Sequence, residues 1–73
     1  MNNLKLYRKK LNLGLKELSD YVGVSERHLS FIENGRRMPS LPVAKKIADF
    51  LQCTIEDIFF NESIERAENE KYS

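Results

Sequence analysis

At 73 residues, with 41% apolar and 32% charged residues, three glycines and two prolines, the chain has room for one small compact domain and is neither loop-rich nor disordered. Its single cysteine, Cys53, excludes an internal disulfide, so the domain must rest on helix packing, which fits a reducing cytoplasm. Charges interrupt the opening MNNLKLYRKK and no apolar run exceeds three residues, so the expectation is a soluble protein with neither signal peptide nor transmembrane helix.

In chain order, Asn2 or Asn3 can cap a first helix in which Leu4, Tyr7 and Leu11 form one stripe and Lys5, Arg8, Lys9 and Lys10 lie elsewhere. Residues 12 to 14 break that period. Leu15, Leu18, Tyr21 and Val22 make the stripe of a second helix, and Gly23 ends it by supplying a left-handed backbone at little cost. Ser25 then caps a third helix running to Asn34, with Glu26 set against the positive end of its dipole. Leu29 and Ile32 face inward there, which leaves Glu26, Arg27, Ser30, Phe31 and Asn34 to project outward.

Gly35 closes the third helix, Arg36 and Arg37 follow in a loop, and Ser40 with Pro42 starts a fourth helix whose stripe is Ala44, Ile47, Ala48 and Leu51. Thr54 and Asp57 form a capping box for a short fifth helix with Ile55, Ile58 and Phe59 apolar. Residues 1 to 60 are expected to make the domain, and 61 to 73 a polar, acidic tail that is frayed or adds a short helix. The net charge of +1 hides an uneven distribution: residues 1 to 60 carry ten Lys/Arg against seven Asp/Glu, whereas the tail carries two against four. A modestly basic domain is thus masked by its tail.

Two short helices joined by a glycine turn make a helix-turn-helix. Its geometry demands a small shared core from Leu18, Val22, Val24, Leu29 and Ile32, a small residue at Ser19 and a turn at Gly23, and all seven positions comply. Together with Arg8, the LKELSDYVGVSERHLSFIENG segment, PSLPVAKKIADFL and CTIEDIFF, this order resembles the lambda-repressor and Cro-like helix-turn-helix regulators over residues 4 to about 60. The resemblance implies an all-α, five-helix DNA-binding domain whose third helix enters the major groove.

Carried over by that resemblance, Glu26, Arg27 and Phe31 occupy base-reading positions, with His28 and Ser30 beside them. Arg27 can fork onto guanine O6 and N7, Glu26 can accept from cytosine N4 or steer Arg27, and Phe31 can cover a thymine methyl. Lys16, Asn34, Arg36 and Arg37 are the expected phosphate contacts. Arg8 and Glu33 are expected to form a structural ion pair tying the first helix to the end of the third. The chain departs from the family at Gly14 and Leu15, where a polar cap followed by glutamine is usual, so the backbone anchor at the second helix lacks its donor and Leu15 is read as core.

One histidine and one cysteine, 25 positions apart, supply neither a metal spacing nor a nucleophile-base pair, and there is no glycine-rich phosphate loop. The expectation is therefore no enzyme, no cofactor, no metal and no small-molecule effector. The resemblance implies a cytoplasmic transcriptional regulator, expected to repress, and because one small domain reads few base pairs it is expected to bind a palindromic double-stranded operator as a homodimer. Phe59, Phe60, Ile64 and Tyr72 are candidate dimer residues, with core capping the alternative role for Phe59. The rival is a protein-interaction module on the same fold, such as an antitoxin or anti-repressor, for which Phe31 would be a suitable anchor.

Overall fold

The structure, a computed structural model, describes residues 2 to 60. Five helices follow one another: α1 (Leu4–Lys10), α2 (Leu15–Val22), α3 (Glu26–Glu33), α4 (Leu41–Leu51) and α5 (Ile55–Phe59), with no strand among the described residues. Ile64, Tyr72 and the rest of the acidic tail lie outside the described residues.

One core holds the helices together. Leu4, Leu18, Leu29, Ile32, Ile47 and Ile58 are fully buried, joined by Val22, Ala44, Ala48 and Leu51, so every helix contributes at least one side chain. Each large aliphatic group taken from water stabilises the fold by roughly 1.5–3 kcal/mol before entropy is counted. The helices α2 and α3 pack against each other, α4 packs on α2 and α5, and α5 reaches α1. Ala44 and Ala48 keep α4 close to its neighbours.

The expected stripes need two corrections. Leu11 is 39% exposed and Tyr21 51% exposed. Asn12 takes a left-handed conformation (φ 59°), and the reversal this produces turns Leu13 toward the core in place of Leu11. Tyr21 sits at the edge of α2 and stacks on Phe50 of α4 with ring centroids 4.6 Å apart.

The caps show why the helices begin and end where they do. Ser25 Oγ accepts the His28 amide at 3.0 Å, Ser40 Oγ the Val43 amide at 3.4 Å, and Thr54 and Asp57 exchange reciprocal bonds of 3.0 and 3.1 Å. At the start of α1, Asn2 Oδ1 accepts the Leu4 amide while its Nδ2 donates to the Ile32 carbonyl at 2.7 Å. Asn3 instead bonds the Asp57 carbonyl through its side chain and the Ile58 carbonyl through its amide. The two asparagines thereby stitch α1 to α3 and α5. Left-handed residues end four helices: Asn12, Gly23 (φ 89°), Gly35 (φ 78°) and Gln52 (φ 60°).

Candidate nucleic-acid interface

The buried pairs Leu18 and Val22 on α2, Leu29 and Ile32 on α3, belong to one cluster and fix the outward face of α3. On that face Glu26 and Arg27 are exposed in the first turn, and His28, Ser30 and Phe31 are half-buried. Ser30 and Phe31 therefore project less freely than the helical spacing predicts. Asn34 follows, exposed, as the C-terminal cap of α3.

Sequence reasoning missed one contact here. The Arg27 guanidinium carbon lies 5.6 Å from the centroid of the Phe31 ring, a cation–π arrangement one helical turn long. Spacing of i and i+4 was the available signal. Among the described residues no ion pair joins Glu26 to Arg27.

Behind this face, Arg8 clamps the end of α3. Its Nε donates to Glu33 Oε2 at 2.9 Å and its Nη2 to Glu33 Oε1 at 3.3 Å, while Nη1 donates to the Leu13 carbonyl at 2.8 Å. Both side chains are nearly buried, at 12% and 8% exposure, so the forked donors of Arg8 point into the protein and away from any ligand. No buried side-chain polar atom is left without a partner among the described residues.

The loop after α3 doubles back because the amides of Arg36 and Arg37 both donate to the Phe31 carbonyl, at 2.8 and 3.2 Å, and the Gly35 amide donates to that of Ile32. These bonds close a left-handed helix end and set two exposed cations beside its negative pole. At the other flank, Lys16 is exposed and only loosely paired with Asp20 at 3.7 Å. The Gly14 amide donates to Glu17 Oε1 at 3.0 Å, so the Glu17 carboxylate sits at the start of α2. Leu15 is half-buried against the core.

Of the expected dimer residues, Phe59 is half-buried against the core and Phe60 is 67% exposed. Ile64 is outside the described residues. Two residues overlooked in the sequence stand beside Phe60: Met38 and Leu41, each 73% exposed, border with Pro39, Ala44, Ile55 and Phe59 an apolar groove of about 190 Å³. Elsewhere, burial and the nearby Asp57 carboxylate push the Cys53 thiol up, and burial, Asp57 and Cys53 push the Tyr7 phenol up. No group of three or more His, Cys, Asp or Glu residues is placed to hold a metal among the described residues, and no described helix is long and apolar enough to cross a membrane.

Comparison with known proteins places this architecture. A helix-turn-helix family model matches residues 4–58. An uncharacterized HTH-type transcriptional regulator, MJ0272, from Methanocaldococcus jannaschii is 45% identical over 64 residues, covering 88% of this chain and 97% of the relative. A second such regulator, from Archaeoglobus fulgidus, is 43% identical over 56 residues, 77% of this chain and 79% of its own. Among solved structures, a SinR protein/SinI protein complex is similar with a TM-score of 0.74 and 30% identity, over 96% of this chain and 70% of that one.

Proposed function

On the premise that this chain belongs to the Cro/lambda-repressor-like helix-turn-helix family of DNA-binding transcriptional regulators, we propose that it is a cytoplasmic, sequence-specific repressor that reads the major groove with α3. The observation that carries this reading is the exposed first turn of α3, Glu26 and Arg27, with Phe31 one turn on and fully buried Leu29 and Ile32 behind. A rigidly backed helix presenting a forked cation and an aromatic edge suits a row of base edges. Lys16, Asn34, Arg36 and Arg37 flank it and would bind phosphates, setting register without reading sequence. Arg8 and Glu33 hold the helix from behind.

A single α3 reads few base pairs, so the protein acts as a two-fold dimer on a palindromic operator with half-sites about one helical turn apart. The apolar groove with Met38, Leu41 and Phe60 at its rim supports such an association. The test combines gel retardation and selection. The chain should retard random double-stranded DNA with an affinity that falls steeply as salt rises, and should enrich one motif from a random pool.

The same groove favours a second reading, a module that binds another protein, and the similar SinR structure is itself a complex with SinI. Under that reading neither retardation nor enrichment occurs.

A further inference from the structure

The Arg27 guanidinium lies over the Phe31 ring rather than standing apart from it, and this constrains what the pair can read. The ring is half-buried on α3, whose inner face is fully packed, and the exposed arginine leans over it from one turn earlier. Long side chains carry high rotamer entropy, and a guanidinium resting on a ring has fewer conformations to lose when it docks.

We propose that Arg27 and Phe31 act as one reading unit for a thymine next to a guanine on one strand, Phe31 covering the thymine 5-methyl and positioning the Arg27 fork on guanine O6 and N7. The inference rests on the DNA-reading role of α3. Its geometric basis is the 5.6 Å separation of guanidinium and ring, which is too short for the two groups to serve base pairs well apart in a duplex whose steps rise about 3.4 Å. Phe31 is thus a positioning residue as well as a contact. Discrimination at the guanine then depends on the ring, and discrimination at the thymine depends on one methyl group.

The test uses the full chain and the motif it enriches from a random pool. Replacing each thymine in turn by uracil removes only the 5-methyl. One such change, next to the guanine whose preference disappears in Arg27→Ala, should weaken binding about fourfold, the worth of one buried methyl-sized group. Phe31→Leu should reduce the preference for that guanine about threefold, matching loss of an exposed cation–π contact, over and above any change in affinity for random DNA; Phe31→Tyr should keep the preference. A role of Phe31 in packing alone would lower affinity for all DNA equally, and that result overturns the proposal. So does uracil being silent beside the Arg27 guanine, or Phe31→Leu leaving the guanine preference intact. Failure of the unmodified chain to retain any DNA is a separate first outcome, and it removes the DNA-reading role together with this inference.

Discussion

Replacing Arg8 by methionine removes three hydrogen bonds at once, the two to Glu33 and the one to the Leu13 carbonyl, while keeping an unbranched apolar stem. What remains is the carboxylate of Glu33 at 8% exposure with no cation beside it. Breaking a buried pair in this way costs about 3–5 kcal/mol, and the lower figure applies because both groups retain some contact with solvent. A domain resting on one small core holds only about 3–5 kcal/mol in all. Arg8→Met should therefore lose most of the stability, lowering Tm by about 12–24 °C at 4–8 °C per kcal/mol. Glu33→Met should cost a similar amount. The double variant, which has no stranded charge, should be more stable than the sum of the single losses by about 1–3 kcal/mol. Urea and thermal unfolding followed by far-ultraviolet circular dichroism measure all four proteins. Single losses below about 1 kcal/mol that simply add in the double variant would refute the clamp.

Three other outcomes follow from the described contacts. Gln52→Gly should raise stability by about 0.5–1 kcal/mol, because a non-glycine residue at φ 60° is strained, whereas Gly23→Ala should lower it by about 1 kcal/mol although an added Cβ meets nothing within 4 Å; opposite signs in thermal melts check both. Since the folded state holds the Tyr7 and Cys53 protons more tightly than the unfolded chain, their contribution is complete below the ordinary thiol value of about 8.5 and is lost as pH rises through the raised values. The urea midpoint should fall across that alkaline range and flatten in a Tyr7→Phe, Cys53→Ala variant. Leu15→Gln supplies the missing donor at the start of α2 and should tighten binding to random DNA while costing about 1 kcal/mol of packing; unchanged affinity in a filter assay would separate that end of α2 from the phosphate backbone.

Most of the fold could be read from period and punctuation. Leu18, Leu29, Ile47 and Ile58 recur at helical spacing, and Ser25, Ser40 and Thr54 announce starts with a mechanism attached. Leu11 and Tyr21 were misplaced because spacing alone cannot show that Asn12 reverses the chain or that Phe50, 29 positions away, receives the tyrosine ring. Gln52 went unnoticed for a related reason: the left-handed end of α4 falls on a glutamine, a residue type that does not announce such a turn. At the candidate interface, the identities of Glu26, Arg27 and Phe31 came from the family pattern. Their mutual arrangement did not, because a stacked and a splayed pair have the same sequence. Met38 and Leu41 were overlooked since isolated apolar residues outside a periodic stripe carry no sign of sharing a groove with Phe60.

Base reading by α3 through Arg27 is tested most directly by comparing the motifs that the unmodified chain and Arg27→Ala enrich from one random DNA pool. The expected result is a single motif for the unmodified chain, and for Arg27→Ala the same motif with its preference lost at one guanine position while affinity for random DNA is retained. Equal weakening on every sequence would make Arg27 a phosphate contact, and an unaltered motif would move the reading away from Arg27; either contradicts base reading through Arg27.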